Sequence, residues 1–469
     1  MKRRNYITLW AASLTCTILL TTGCRKSADL LDPHWTSPVS ISSSIAGLGG
    51  AIRLHRYHDT LIGVQVLYGG SAQLLILNRA SNSWSQLNVA GAPDVGGWTY
   101  LWGCAAIDTQ SKRIILPEGY AENEQLVMKV LTATITEDAE LRDITEKEWK
   151  TDKITLLGKT SPNVKLNLPG IGRQGVGLGP GVLNGAEAYI PFCLDAAEII
   201  QRGSNKFAPI DRGKGPFANG VFHSSDSGKT WQMEKVSNKN AEAPTICKTM
   251  GYLYFFAGLS YFASDYSLWF SRKRAEGGQW EEPQTITKTF AWVDGRFAAV
   301  GEGDTAHICW MDRRHNKWRF NIDAPPIENN EIFYRRRKDT DQDWSKEVLL
   351  SKGLLYAYAP TISAEGNKVV VAWAGIQTAS KQHTDMGPND IYYVTSKDGG
   401  KTWTQPLRVT DGAKDGMTAG MPQVVLLNNV IHLLYTQGKS ERNKELSPGL
   451  TKLGGEPWPI YYTQRPFPD

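Results

Sequence analysis

Arginine, histidine and aspartate side chains are concentrated in long segments between predicted β-strands, at 194–219, 311–330, 374–389 and 437–458. A guanidinium group binds a carboxylate through two parallel N–H bonds. Aspartate and histidine are common general acids and bases. These segments could therefore bind an acidic ligand and transfer protons to it. The candidates for the catalytic step are Asp312, Arg313 and His315, and the candidates for substrate binding are Arg173, Arg212, Arg314 and His383.

The same charged residues are also typical of a solvated loop, and a shared position above one pocket is what would distinguish the two interpretations. No close spacing of His, Cys, Asp or Glu predicts a metal site, and no cofactor motif is present. Arg335, Arg336 and Arg337 are consecutive in a predicted strand, and two of the three are expected to face solvent.

A repeated turn motif indicates the secondary-structure elements that must position these residues. Residues 224–231 and 396–403 both match the pattern Ser-x-Asp-x-Gly-x-Thr-Trp at every position, and residues 338–344 form a degenerate copy. In such a turn the Asp accepts backbone N–H bonds, the Gly adopts a backbone conformation unsuited to other residues, and the Trp packs under neighbouring strands. The turn is predicted to be structural and not catalytic. Its predicted structural residues are Asp226, Trp231, Asp339, Trp344, Asp398 and Trp403.

Each turn lies between two strands, and a further pair of strands precedes it. The repeating unit is therefore four antiparallel strands, which is the blade of a β-propeller. The sequence predicts an all-β fold with seven blades, or six if residues 95–157 do not form a complete unit. Residues 35–42 match the strand after Trp403 almost position for position, so we expect them to supply the fourth strand of the last blade and to close the ring.

The turn and the four-stranded unit resemble the Asp-box (BNR) repeats of the sialidase superfamily, over nearly the whole chain after residue 34. Sialidases hold the substrate carboxylate with three arginines and use a Tyr–Glu nucleophile pair with an Asp acid. The resemblance implies that Arg53 corresponds to the first arginine, Glu242 to the glutamate after a complete Asp box, and Tyr358 to the nucleophile. The strand that should hold the second arginine, residues 252–260, has none, and no residue matches the acid.

Three functions follow as alternatives. The first is a sialidase-like exoglycosidase that acts on complex acidic glycans. The second is a seven-bladed lyase or rhamnosidase of uronate polysaccharides, which would need an acid, a base and a cation for the uronate carboxylate. The third is a propeller that binds glycans, or acts as a scaffold, without catalysis. A glycan or polysaccharide is the expected partner in each case.

The N-terminus is predicted to direct export. A basic start (Lys2 to Arg4) and an apolar stretch precede Cys24, in a context similar to the lipobox of bacterial lipoproteins. We therefore expect residues 1–24 to be a signal peptide, with lipidation at Cys24, residues 25–34 to be a tether, and residues 35–469 to be one domain. The expected location is the bacterial cell envelope, or the exterior if an ordinary signal peptide is cleaved instead.

Charge and cysteine content limit the remaining choices. The formal charge is +5, of which three positive charges lie at the basic start, so there is no electrostatic case for nucleic acid. The lipid anchor is the only membrane contact expected. Cys104, Cys193, Cys247 and Cys309 lie in apolar runs without metal spacing, which favours buried free thiols over a disulfide.

Overall fold

The computed structural model describes the chain in segments that cover most of the predicted strands. These are residues 31–42, 52–57, 60–67, 71–78, 83–89, 106–108, 113–122, 125–134, 150–157, 176–184, 186–194, 219–226, 228–237, 242–258, 267–287, 297–312, 314, 330–377, 389–439 and 459–468. The predicted signal peptide and Cys24 lie outside them. Within these segments no helix is long and apolar enough to cross a membrane.

The described strands form seven antiparallel sheets, numbered here in chain order. Sheet 1 contains β2 (Ile52–Tyr57), β3 (Thr60–Leu67), β4 (Ser71–Asn78) and β5 (Ser83–Val89). Sheet 2 contains β6 (Ala106–Asp108), β7 (Arg113–Glu122), β8 (Gln125–Thr134) and β9 (Lys150–Leu157). Sheet 3 has five strands, β10 (Val176–Leu178), β11 (Val182–Asn184), β12 (Glu187–Leu194), β13 (Asn219–Ser224) and β14 (Gln232–Ser237).

The later sheets repeat the four-stranded pattern. Sheet 4 contains β15 (Glu242–Lys248), β16 (Tyr252–Gly258), β17 (Leu268–Arg274) and β18 (Gln284–Thr285). Sheet 5 contains β19 (Phe297–Glu302), β20 (Thr305–Asp312), β21 (Glu331–Lys338) and β22 (Val348–Leu349). Sheet 6 contains β23 (Tyr356–Glu365), β24 (Lys368–Ile376), β25 (Asp390–Ser396) and β26 (Leu407–Arg408). Sheet 7 contains β27 (Met417–Leu427), β28 (Val430–Lys439), β29 (Ile460–Pro466) and β1 (Val39–Ser42).

Each sheet packs against the next one along the chain, and β27 of sheet 7 contacts β2 of sheet 1. The first strands β15, β19, β23 and β27 contact one another in succession, so they form the inner edge of a closed ring. Middle strands such as β16 are buried along their whole length because both faces of each sheet are covered by neighbours. The predicted all-β propeller of four-stranded sheets is confirmed.

Sheet 7 is completed by the N-terminal segment, as expected for residues 35–42. Strand β1 pairs antiparallel with β29, with Val39 opposite Tyr462. The chain before β1 is also held: the buried carboxylate of Asp32 contacts the guanidinium of Arg465 and the phenol of Tyr393. Residues 31–34, which the sequence assigned to a tether, therefore contribute contacts to sheets 6 and 7.

Four tryptophans occupy equivalent places in the ring. The indole of Trp403 lies edge-on to Tyr334, an aromatic residue on the third strand of the preceding sheet, with ring centroids 4.7 Å apart. The same arrangement joins Trp344 to Phe270, Trp84 to Tyr462 and Trp35 to Tyr393. Edge-to-face aromatic contacts contribute about 0.5–1.5 kcal/mol beyond the area they bury. This aromatic pair is therefore a repeated packing contact between neighbouring sheets.

The two complete turns have the hydrogen bonds expected from their sequence. Asp226 Oδ1 accepts bonds from the backbone N–H groups of Lys229 (2.9 Å) and Thr230 (2.8 Å), and Ser224 Oγ donates to the same oxygen. Gly228 has a φ of 81°, a left-handed conformation that favours glycine. Asp398 makes the equivalent bonds in the second turn.

Asp339 holds the same register in the degenerate copy but has different partners. Its Oδ1 accepts a hydrogen bond from Thr249 Oγ1 (2.7 Å), and its Oδ2 accepts one from the backbone N–H of Gly251 (2.8 Å). Both partners belong to the turn between β15 and β16 in the preceding sheet. Asp339 therefore joins sheets 4 and 5, whereas the sequence predicted a bond within its own turn.

The expectation that two of the three consecutive arginines face solvent is wrong. Arg335 and Arg337 are 7% and 2% exposed, because residues two apart in a strand share a face and this face packs on sheet 4. Arg337 donates to the backbone carbonyls of Asp341 and Gln342. The pKa values of Arg335 and Arg337 are lowered, chiefly by burial.

Candidate functional site

The long segments that the sequence singled out connect strand ends that lie at one end of the ring. Residues 313–330, 377–389 and 440–459 join the second strand to the third in sheets 5, 6 and 7, and residues 195–218 join β12 to β13 in sheet 3. We call this end the loop face. The turns with the Ser-x-Asp-x-Gly-x-Thr-Trp pattern join third strands to fourth strands, so they lie at the opposite end, the turn face. The loop face is where a ligand over the ring axis would meet the longest connections.

Three candidates taken from the sialidase resemblance lie at this end of the inner strands. Arg53 is the second residue of β2, Glu242 is the first of β15, and Tyr358 is the third of β23. First strands begin at the loop face, so the fold brings these three backbone positions to one end of the ring. Five further candidates, Arg173, Arg212, Arg313, His315 and His383, lie outside the described residues.

Tyr358 is the best defined of these candidates. Its side chain is 8% exposed, and its phenolic oxygen accepts a hydrogen bond from Asn389 Nδ2 at 3.0 Å. Gly420, on the first strand of the next sheet, lies beside the phenol: a Cβ added there would stand 3.4 Å from the Tyr358 hydroxyl. An amide N–H that donates to a phenol oxygen stabilises negative charge there, which assists proton transfer by the phenol.

The backbone next to Tyr358 is strained. Ala359 has a φ of 52°, and Met421 has a φ of 50° at the equivalent place in β27. Each precedes a proline and lies in a β-bulge that interrupts the pairing with the second strand. Left-handed residues other than glycine cost about 1–3 kcal/mol and are concentrated at functional sites. The bulges therefore mark the loop-face ends of β23 and β27 as a constrained region.

Asn389 was not identified from the sequence. Its backbone carbonyl accepts a hydrogen bond from Ala419 N (2.9 Å), and that of Asn330 accepts one from Ala357 N (2.9 Å). Both asparagines precede a third strand, are almost fully buried, and join their sheet to the first strand of the next. An Asn at or just before the start of such a strand, which recurs at Asn219, is the sequence signal that could have identified them.

Asp312 and Arg314 are brought together, but as an internal ion pair. Asp312 is fully buried at the end of β20, where it accepts bonds from the side chain and backbone N–H of Arg314 and from Trp310 Nε1. Arg314 also donates to Glu347 at 2.7 Å, and its guanidinium lies over the Phe333 ring. Burial alone would lower the pKa of Arg314, but the two carboxylates outweigh it and raise the pKa.

These contacts occupy both carboxylate oxygens of Asp312. The geometry supports a structural role in which the pair fixes the start of segment 313–330.

A second carboxyl group lies directly after Asn389. Asp390 is 2% exposed and accepts hydrogen bonds from Thr410 Oγ1 (2.8 Å) and the backbone N–H of Ala413 (3.3 Å). Burial raises its pKa, although these bonds and Arg408 oppose the shift. It anchors the loop-face end of β25 and thereby the position of Asn389.

No group of three or more His, Cys, Asp or Glu side chains is arranged to hold a metal ion within the described segments. Cys193, Cys247 and Cys309 are buried, and burial raises the pKa of the Cys247 and Cys309 thiols.

No protein-family model and no curated protein matches this sequence. Solved structures do match the fold. An ulvan lyase of polysaccharide lyase family PL25, bound to -[GlcA(1-4)Rha3S]-, superposes with a TM-score of 0.52 and 10% identity, covering 91% of this chain and 94% of its own. Polysaccharide lyase Uly1 superposes with a TM-score of 0.52 and 9% identity, covering 93% of this chain and 100% of its own. These similarities show a shared fold over nearly the whole length of each protein.

Proposed function

We propose that this chain is a carbohydrate-active propeller that cleaves an acidic, uronate-containing polysaccharide by β-elimination. The observation that carries the proposal is the near-complete mutual coverage with the PL25 ulvan lyase, which was solved with a glycan of glucuronate and sulfated rhamnose. The lyase was one of the alternatives raised by the sequence. It is favoured over sialic acid hydrolysis because the second sialidase arginine and the acid have no match.

The reaction defines what the site must supply. A base removes the proton at C5 of the uronate, the electron pair forms the C4–C5 double bond, and the bond from C4 to the linking oxygen breaks. The linking oxygen keeps the electron pair of the broken bond, and it receives a proton from a general acid. A cation beside the carboxylate stabilises the negative charge that develops before the bond breaks.

Tyr358 is the residue we assign to proton transfer. Its phenol lies at the loop face, and the 3.0 Å bond from Asn389 stabilises the phenolate that remains after donation to the leaving oxygen. Arg53, at the same end of β2, is the residue we assign to the uronate carboxylate, because a guanidinium fork matches that group. Glu242, at the start of β15, is assigned to the same substrate-binding end of the ring.

The test is an assay of purified residues 25–469 on ulvan-like polymers, rhamnosyl-glucuronate oligosaccharides and sialyl conjugates. Ultraviolet absorbance reports new double bonds, and free sugars are measured in parallel. We expect unsaturated products, and we expect Tyr358→Phe to reduce the rate by at least about 10²-fold, the usual contribution of a general acid. Tyr252→Phe is the matched control, because it removes a phenolic hydroxyl at the turn face.

The other possible results of this assay distinguish between the remaining functions. Free sialic acid without unsaturated product would contradict the lyase proposal and favour the sialidase-like alternative. Binding without product on every substrate would favour a non-catalytic propeller. Unsaturated product from Tyr358→Phe at the wild-type rate would overturn the assignment of Tyr358 alone.

We also propose that the mature protein is anchored to the cell envelope through Cys24. Asp32 is fixed in the fold eight residues later, and an extended chain spans about 3.3–3.6 Å per residue. The anchor would therefore hold the propeller within about 26–29 Å of the bilayer, from the side formed by sheets 6 and 7. Fractionation of wild type and Cys24→Ala tests this, since only the wild type should remain with the membrane.

A further inference from the structure

A second cluster of titratable side chains lies at the turn face, between sheets 3 and 4. It is formed by Glu187 and Tyr189 at the start of β12, His223 near the end of β13, Glu234 on β14 and Lys273 on β17. We call this group the His223 lock. It lies at the end of the ring opposite the proposed catalytic site, and the proposed function makes no use of it.

Both ring nitrogens of His223 face a carboxylate. Nε2 contacts Glu187 Oε2, and Nδ1 lies 3.0 Å from Glu234 Oε1. A neutral imidazole carries one N–H, whereas the imidazolium carries two. Only the protonated ring can therefore donate to both carboxylates. The ring is also stacked on Tyr189, with centroids 4.5 Å apart, so its plane is fixed.

Glu234 carries the contact from sheet 3 to sheet 4. Its Oε2 accepts hydrogen bonds from Lys273 Nζ (2.5 Å) and Trp280 Nε1 (3.1 Å), both in sheet 4. The Lys273 side chain is 5% exposed and lies between the rings of Tyr189 and Trp280. A buried ammonium is stable only while its carboxylate partner is ionised. Glu234 therefore cannot lose its charge without weakening the joint between the sheets.

Among the described residues, the charged groups that face His223 all belong to this arrangement. Glu187 and Tyr189 approach from β12, Glu234 from β14 and Lys273 from β17, and Lys248 on β15 acts on Glu187 by charge attraction. The side chains of His223, Glu187 and Glu234 are 20%, 35% and 25% exposed, so protons reach them without unfolding.

We propose that the His223 lock is a pH-sensitive joint, closed while His223 is protonated and both glutamates are ionised, and loosened on either side of that range. The inference does not depend on which substrate the protein takes. The lock also bears on the loop face, because β12 and β13 continue into segment 195–218 at their other ends, and β15 of sheet 4 begins there with Glu242.

The loosening expected at acidic pH follows from the pKa of Glu187. Burial alone would raise its pKa, but hydrogen bonds from His223 and Tyr189 outweigh burial and lower the pKa below the usual glutamate range. A depressed carboxyl pKa contributes stability above the unfolded pKa, about 4.3 for glutamate, and that stability is lost as the pH falls through the folded value. In the neutral form the imidazole has one N–H and can donate to only one of the two carboxylates.

The experiment compares melting temperatures of wild type, His223→Gln and His432→Gln from about pH 2 to about pH 9, which extends below the ordinary titration of glutamate and above that of histidine. His432 is a suitable control because it is buried and bonds to the Tyr462 phenol. We expect the difference between wild type and His223→Gln to be largest near the middle of the range and to shrink by about 2 °C or more towards both ends. The difference for His432→Gln should not shrink towards alkaline pH, because this imidazole lies against a phenol and not between two carboxylates.

A difference for His223→Gln that does not change with pH, or that changes equally in His432→Gln, would overturn the proposal. Hydrogen exchange on the wild type tests it without any variant. Protection factors of β13 and β14 should fall at the ends of the pH range relative to those of β24 and β25. Equal changes in the two sheets would also refute the lock.

Discussion

The buried contact between Asp32 and Arg465 predicts that one side chain outside the strands helps to close the ring. Asp32 is 6% exposed and Arg465 7%, and the carboxylate also accepts a hydrogen bond from Tyr393. Asp32→Ala would leave the guanidinium buried without its carboxylate. Removing one partner of a buried ion pair typically costs about 3–5 kcal/mol.

The expected shift in melting temperature follows from chain length. Unfolding entropy is about 2.1 cal/mol/K per residue, so the 469 residues give about 1 kcal/mol for each degree. Asp32→Ala should therefore lower the melting temperature by about 3–5 °C at neutral pH. Hydrogen exchange should show the loss first in β1 and β29, because Asp32 lies at the entry to β1. Asp411→Ala is a control, since its carboxylate is more exposed and pairs with Arg408 and Lys414 in one short segment.

The destabilisation caused by Asp32→Ala should depend on pH. Burial by itself raises the pKa of Asp32, but bonds from Tyr393 and His34 and the charge of Arg465 outweigh it, so the pKa is lowered. A lowered pKa contributes stability that is present above the unfolded value, about 3.9, and is lost as the pH falls through the folded value. Wild type and Asp32→Ala should therefore converge in acid. A variant within about 0.5 kcal/mol of wild type at neutral pH would refute the reasoning.

Other parts of the fold give further predictions. The pKa of Asp398 is lowered to about 2 by its turn bonds, which outweigh burial, so Asp398→Asn should destabilise at neutral pH and converge with wild type near pH 2, as chemical denaturation can show. Asp339→Ala should increase hydrogen exchange in the turn between β15 and β16, in the neighbouring sheet, more than in its own turn. Gly301→Ala should cost about 1–3 kcal/mol, because a Cβ would lie 1.9 Å from the Lys248 carbonyl oxygen; Gly63→Ala, where the nearest atom to an added Cβ is 3.4 Å away, should cost less. Equal melting temperatures for these two glycine variants would contradict the packing argument.

Much of the architecture could be predicted because its determinants are local. An Asp that accepts bonds from residues three and four positions later, and a Gly with a left-handed backbone, show in any complete copy of the turn. The repeated Trp gives the spacing of the units. The likeness of residues 35–42 to the strand after Trp403 predicted the closing strand, since the two occupy equivalent places in sheets 7 and 6.

The roles of polar side chains were predictable only where their partners are close in sequence. Asp339 has the register of a turn residue, yet its partners lie about 90 residues earlier, in another sheet. Arg314 was predicted to bind substrate, yet it donates to Glu347, 33 residues later along the chain. In a propeller each sheet is covered on both faces by its neighbours, so a strand's polar residue meets a partner that its local sequence does not reveal.

The sequence by itself determined the all-β class, the four-stranded unit, the chemistry of the turns and the N-terminal strand that completes the ring. All of these depend on residues within one unit or on likeness between units. The tertiary structure decided that Asn389 holds Tyr358, that Arg314 binds Glu347, and that His223 lies between two carboxylates. These arrangements depend on contacts between strands and sheets that are distant along the chain, and only the packed ring brings them within hydrogen-bonding distance.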